Sequence, residues 1–215
     1  MNAAWQLGPE EIERRSFAAI DQEAGAHPWP DPQWSVVRRL VHTAADFDYV
    51  RETIISPGAV EAGIEALRGG SPVVTDTRMA LNGISRRRLA PWGTEIFCFI
   101  DHEETAARAQ AGQTTRSQAA VDTALRQIDP KEKGIIWAVG NAPTALWHLL
   151  ALLEDGKAPR PALILGFPVG FVNAREAKVQ LDLQKPAPYL TNISRKGGSN
   201  IAAAAVNALA CLAGR

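Results

Sequence analysis

Five short apolar runs, 72–75, 96–100, 135–139, 162–165 and 189–193, recur along the chain with helix-compatible stretches between most of them. A strand that is apolar at nearly every position must be covered on both faces. Helices returning between such strands bring them into parallel pairing. The pattern predicts a three-layer α/β/α fold around a mostly parallel sheet. The intervening stretches are 104–128 with a break at Gly112, 143–154, 174–185 and a terminal, alanine-rich 200–212. Before the first run the chain reads as helical. Pro9 opens 10–23, with Ile12, Phe17 and Ile20 near helical spacing. Pro28, Pro30 and Pro32 then interrupt the chain, and Asp31 and Pro32 suit the N-cap and N1 positions of a helix whose stripe is Trp34, Val37, Val41 and Ala44. A third helix starts at Ser56-Pro57, carries Val60, Ile64 and Leu67, and stops at Gly69-Gly70. The expectation is one domain over 1–215, its N-terminal helices over 9–69 packing on an α/β core over 70–213.

Composition narrows the function classes. Twenty-three basic residues balance 23 acidic ones, which argues against a broad phosphate-neutralising surface and hence against nucleic acid as partner. Cys98 and Cys211 stand alone, without a Cys-x-x-Cys or Cys/His spacing, so neither a disulfide framework nor a metal site is expected, and a cytoplasmic location is. The longest apolar run, 162–172, holds two glycines and a proline and falls far short of the roughly 20 residues of a membrane span. The stretch 1–7 lacks the basic and apolar regions of a signal peptide.

In open parallel sheets, ligands sit outside the carboxyl ends of the strands. Those ends carry Thr75-Asp76-Thr77-Arg78, Gly140-Asn141-Ala142-Pro143-Thr144, the segment from Gly166 to Asn173, and Ser194-Arg195-Lys196-Gly197-Gly198-Ser199. Glycines beside small or polar residues at helix starts offer free backbone N–H groups and a favourable dipole to an anion. The same glycines also serve ordinary strand-to-helix turns. No phosphate-binding P-loop or Gly-x-Gly-x-x-Gly fingerprint is present, so a nucleotide is not the first candidate. Arginines cluster at 14–15, 38–39 and 86–88, and Arg116 stands among the hydroxyls of Thr114, Thr115 and Ser117, where a guanidinium can grip a carboxylate with two prongs. Together these features indicate a small ligand with several acidic groups. Of the four histidines, His27 lies in a proline-rich loop, His102 starts a turn, and His148 sits among leucines. His42, late in the second helix, is the one placed for proton exchange near neutrality.

Several stretches, in order, resemble the precorrin-8X (cobalt-precorrin-8) methylmutases of cobalamin biosynthesis. They are Arg15-Ser16-Phe17, Leu40-Val41-His42-Thr43, Asp76-Thr77-Arg78-Met79 with Asn82-Gly83-Ile84, and Thr115-Arg116-Ser117. The succession continues through Gly140-Asn141-Ala142-Pro143-Thr144-Ala145-Leu146 and the distinctive Gly166-Phe167-Pro168-Val169-Gly170-Phe171-Val172 with Glu176 and Lys178. Lys196-Gly197-Gly198-Ser199 and Val206-Asn207-Ala208-Leu209 close it. The resemblance spans about residues 10 to 210. It departs at Ser85, where some relatives carry threonine, at Phe167, where methionine is common, and at Asn173, where glycine is frequent.

The resemblance implies a flavodoxin-like fold, an isomerase that moves a methyl group from C-11 to C-12 of a corrin-type tetrapyrrole without a cofactor, and a homodimer with active sites near the interface. It implies His42 as the acid that protonates or hydrogen-bonds the ring C nitrogen, with Ser16, Ser85 and Arg116 in the same site. Arg15, Asp76, Thr77, Gly140, Asn141, Gly166, Val169, Gly170, Gly197 and Gly198 are the further substrate-binding candidates. The acetate and propionate groups of such a ring account for the anion-attracting loops and Arg116, while Ile84, Val169 and Phe171 would face its flat surface. Two other readings remain: a tetrapyrrole carrier that binds without converting, and, on topology alone, a flavin binder.

Overall fold

The computed structural model describes residues 7–129 and 134–215, so the stretch read for a signal peptide lies, apart from Leu7, outside the described residues. Three helices open the chain: α1 (Pro9–Ala24), α2 (Gln33–Ala44) and α3 (Asp48–Glu52). Helix α2 begins one residue later than its sequence signals suggest. Pro32, not Asp31, occupies the N-cap, where the Trp34 amide already bonds back to the Pro30 carbonyl. Strand β1 (Thr53–Ile55) and α4 (Ala59–Arg68) follow. The sequence reading missed β1, because three residues are too few to show a period. It pairs antiparallel with the last strand, so the N-terminal segment adds an edge strand to the sheet as well as helices.

The remaining strands, β2 (Val73–Thr75), β3 (Ile96–Cys98), β4 (Ile136–Val139), β5 (Leu163–Gly166) and β6 (Tyr189–Asn192), coincide with the five apolar runs. The pairings among these five are all parallel, and the sheet order is β1-β6-β5-β4-β2-β3. Counting only the parallel strands along the chain, this is the 2-1-3-4-5 flavodoxin-like order, with the reversal of direction between β2 and β4. Between β2 and β3 the chain also forms α5 (Arg78–Gly83) and α6 (Arg86–Leu89), short helices the sequence reading left as loop.

Alternate strand residues point to opposite layers, as the pleat requires. Val73, Ile136, Ala138, Leu163, Leu165 and Leu190 join one buried cluster with α4, α5 and α11 (Ser199–Ala213). Val74, Trp137, Val139, Ile164 and Tyr189 join the other, under α8 (Arg116–Gln127), α9 (Pro143–Glu154) and α10 (Ala174–Gln184). Helix α7 (Glu103–Ala111) packs beside α8 after the break at Gly112. Helix α11 is enclosed by the sheet, α2, α4 and α5, which explains its alanines: only small side chains let so many neighbours approach. At Gly83 of α5 an added Cβ would lie 2.9 Å from the Ala203 Cβ. Helix α2 lies over α11 and α1 over α2, so one layer is doubled in thickness.

Candidate active site

His42 sits in the last turn of α2, half-buried, and its position follows from two helices packing through alternate faces. Val36, Val37, Leu40 and Val41 are buried, which leaves His42 at the margin of the apolar stripe. From α1, the Ser16 hydroxyl reaches His42 Nδ1 at 2.8 Å, and the Phe17 ring meets the imidazole edge-on with 5.3 Å between centroids. Phe17 is itself flanked by the Arg38 and Arg39 guanidiniums, 4.5 and 4.7 Å from its centroid. Arg39 Nη1 donates to Glu13 Oε1 at 2.5 Å, and that guanidinium holds the Glu13 carboxyl below its usual range. With Nδ1 occupied by Ser16, Nε2 is the nitrogen left to meet a ligand. Where Ser16 donates to a neutral Nδ1, or accepts from a charged ring, Nε2 carries the proton; where Ser16 accepts from a neutral Nδ1–H, Nε2 is a bare acceptor.

His42 lines a cavity of ≈ 370 Å³ between α2, the α5–α6 turn and α11. Its floor is one face of α11, formed by Asn200, Ala203, Ala204, Asn207 and Cys211 at helical spacing. Its far wall holds Gly83, Ser85 and Arg88. Asn207 sets that wall. Its Oδ1 accepts from the Ser85 amide at 2.8 Å and its Nδ2 donates to the Gly83 carbonyl at 2.9 Å. Arg88 Nη1 donates to Cys211 Sγ at 2.6 Å. Asn200, Asn207 and Arg88 were not among the candidate residues. For Asn207 a signal existed: it is the one polar side chain in the apolar stretch 201–210.

The carboxyl edge of the sheet is arranged differently. Asp76, at the end of β2 and only 7% exposed, accepts from the amides of Gly140 at 2.9 Å and of Asn141 and Ala142 at 2.7 Å each. The anion seat expected at the start of α9 is thus filled by the protein's own carboxylate. Burial pushes the Asp76 carboxyl up, and the three amides pull the other way. Gly140 is required by close approach, since a Cβ there would lie 2.7 Å from the Gly198 carbonyl oxygen. Thr77 caps α5 by accepting from the Ala80 amide, and its hydroxyl pairs with Ser199 at 2.7 Å.

The loops after β5 and β6 are tied together by Gly198 N–H to the Phe167 carbonyl at 2.9 Å and Gly170 N–H to the Arg195 carbonyl at 3.2 Å. Lys178, 1% exposed, donates to the Lys196 carbonyl at 2.7 Å and to Asn192 Oδ1 at 3.2 Å. Burial lowers its pKa to about 8. The Lys196 ammonium in turn bridges Asp46 at 2.5 Å and Asp48, beyond the end of α2; these hydrogen bonds raise its pKa and depress that of Asp46.

The structure therefore brings His42 and Ser85 to one cavity, with Ser16 hydrogen-bonded to the His42 ring. Asp76, Thr77, Gly140 and Asn141 form a separate cluster with α11's first turn, and Gly166, Val169, Gly170, Gly197 and Gly198 belong to the β5 and β6 loops. Arg15 pairs with Glu11 on the outer face of α1 at 2.6 Å. Arg116 is exposed at the first position of α8, on the opposite layer from α2. Ile84 is buried in the core and does not offer its side chain to a planar ligand, contrary to expectation; Phe171 is 86% exposed and Val169 partly so. Phe167 is fully buried and is not part of the His42 cavity lining. Asn173 adopts φ 61° at the start of α10, which explains why glycine suits that position. The other histidines have structural partners: His27 stacks on Trp34, His102 caps α7 by accepting from the Glu104 amide, and His148 Nε2 lies 2.7 Å from Asp122 Oδ1. Among the described residues no cluster of three His, Cys, Asp or Glu could hold a metal ion, and no helix is long and apolar enough to cross a membrane.

Known proteins resemble this chain over nearly its whole length. A family model described as precorrin-8X methylmutase matches residues 11–212. The cobalt-precorrin-8 methylmutase of Priestia megaterium is 41% identical over 205 residues, covering 95% of this chain and 88% of the relative. The precorrin-8X methylmutase of Pseudomonas aeruginosa is 41% identical over 200 residues, covering 93% of each chain. The solved structure of precorrin-8x methyl mutase from Thermus thermophilus superposes with a TM-score of 0.87 at 44% identity, covering 95% of this chain and 96% of the other.

Proposed function

This chain belongs to the precorrin-8X methylmutase family, and from that premise we propose which of its residues carry the reaction and how. The protein is an intramolecular methyl-shifting isomerase of cobalamin biosynthesis. The substrate is precorrin-8X or its cobalt-containing counterpart, and the methyl moves from C-11 to C-12 of the macrocycle. For a methyl to pass with its bonding electrons to the neighbouring carbon, the acceptor end of the conjugated system must become electron-poor. His42 Nε2–H, donating to the ring C nitrogen, achieves this. The product has the same atoms as the substrate, so the proton lent by the imidazole is recovered. A positioned acid of this kind contributes about 10²- to 10⁴-fold. Ser16 orients the ring through Nδ1, and Ser85 and Arg88 line the cavity opposite.

The observation that carries this reading is the Ser16–His42 hydrogen bond at 2.8 Å, which commits Nδ1 and leaves Nε2 for the cavity. A cavity of ≈ 370 Å³ admits one edge of a tetrapyrrole rather than the whole. A homodimer supplies the remaining surface. Exposed Met79, Phe171, Val172 and Ile193, all beyond the carboxyl ends of strands, support an apolar contact there. On this reading Arg116 and the β5 and β6 loops meet carboxylates of a macrocycle held by the partner subunit. The two unpaired cysteines fit a cytoplasmic location.

The test is conversion of excess precorrin-8X followed by visible absorption. The wild type converts many equivalents, and His42→Ala binds the macrocycle but loses turnover by about 10²-fold or more. Unchanged turnover in His42→Ala contradicts the proposal.

A further inference from the structure

A second cavity, of ≈ 610 Å³, adjoins that of His42 and shares Arg88 and Cys211 with it. Its walls include Arg68 from the end of α4, Arg87 and Arg88 from α6, Arg215, and the indole of Trp92. No acidic side chain lines it. Elsewhere, arginines such as Arg38, Arg39, Arg78 and Arg108 are neutralised by carboxylates at 2.5–2.9 Å. Here Arg68 donates only through Nε, to the Ala213 carbonyl at 2.9 Å, and Arg88 only to a thiol sulfur, a weak acceptor. Arg87 has no hydrogen-bonding or ion-pair partner among the described residues. Guanidiniums gathered in a concave site that no acidic side chain lines create a field that favours anions, and guanidinium forks match carboxylates in shape.

We infer that this arginine-lined cavity is a carboxylate subsite of the substrate groove, holding peripheral acid arms of the macrocycle whose ring edge lies beside His42. This rests on the function proposed above. The two cavities lie end to end along α11, and the stretch from Asn200 to Gly214 is about 21 Å long at 1.5 Å per residue, a span that accommodates a macrocycle with its arms extended. Such a subsite has a definite use. A tetrapyrrole presents four similar nitrogens, and His42 must address one. Gripping the acid arms at one end of the groove sets the rotation of the ring and therefore which nitrogen meets Nε2.

The experiment measures the Kd of hydrogenobyrinate, and of an analogue with its peripheral acids amidated, at low and high salt. The proteins compared are the wild type, Arg87→Gln, the Arg68→Gln/Arg87→Gln double variant, and Arg86→Gln, an exposed arginine outside the cavity, as control. Thermal unfolding checks that each is folded; Arg87 has no hydrogen bond or ion pair among the described residues, so its single variant keeps the test intact if the double variant is unstable. Losing a charge-assisted carboxylate contact weakens hydrogenobyrinate binding about 10-fold. The preference for acid over amide shrinks by the same factor, and the salt dependence falls. The control behaves as wild type. A wild type that binds and converts the macrocycle while folded Arg87→Gln keeps its affinity, salt dependence and acid preference overturns the subsite alone. A wild type that neither binds nor converts it overturns the parent reading and the subsite together.

Discussion

The crevice between β2 and β4 and the groove along α11 make opposite use of polar side chains. In the crevice, where an open parallel sheet ordinarily takes its ligand, Asp76 is buried and fully engaged by three amides. In the groove, His42, Ser85, Asn207 and Arg88 are only half-buried and each retains capacity for a further partner. The crevice is satisfied from within and contributes to stability. The groove exists because α2, with α1 stacked on its outer side, lies over α11 and leaves a gap beside α5 and α6. A fold's usual ligand position is a statement about the bare sheet; an inward carboxylate can close it and helices added outside can open another.

Variants at the two places should separate stability from activity. Asp76→Ala leaves three amides at the start of α9 without their acceptor, at about 1–3 kcal/mol for each that stays dry. We expect a loss of about 3 kcal/mol or more in urea unfolding, with Asp76→Asn losing less because one acceptor oxygen remains. A small loss for Asp76→Ala would mean that water reaches the crevice and that it is a site after all. Lys178 tests the same edge through pH. Its pKa is about 8 in the fold against 10.5 as a free side chain, so between these values the unfolded chain holds more protons than the native one. The contribution of Lys178 to stability therefore rises with pH from about 8 to 10.5, by about 3 kcal/mol at most. Subtracting the pH profile of Lys178→Met from that of the wild type isolates this slope, and a flat difference contradicts the buried-ammonium description. The smallest effect is expected in the groove: Ser16→Ala should lower kcat about 10-fold through loss of imidazole orientation, while stability changes by no more than about 0.5 kcal/mol. A stability loss comparable to that of Asp76→Ala would erase the contrast between the two places.

Much of the architecture was legible because parallel strands buried on both faces write themselves as uninterrupted apolar runs. All five such runs became strands. Thr53–Ile55 did not show itself, since an antiparallel edge of three residues leaves no period. The short helices α5 and α6 were obscured by polar residues that the groove requires. His42 and Ser16 could be singled out individually, but their contact joins residues 26 positions apart and depends on how α1 crosses α2. Asp76 was singled out by its place at a strand end and by the resemblance, and its engagement with the amides of Gly140, Asn141 and Ala142 joins residues more than 60 positions apart that no local pattern connects. Asn207 carried a visible signal, a polar residue in an apolar helix, whose meaning required knowing which face of α11 stays uncovered.

On the proposed function the macrocycle lies in the groove and the imidazole serves as its acid. A crystal structure of the protein with bound hydrogenobyrinate tests this most directly. His42 Nε2 is expected within about 3.2 Å of the ring C nitrogen, with Ser16 still on Nδ1. A macrocycle seated over the strand ends beside Asp76, with His42 remote from every ring nitrogen, would contradict it.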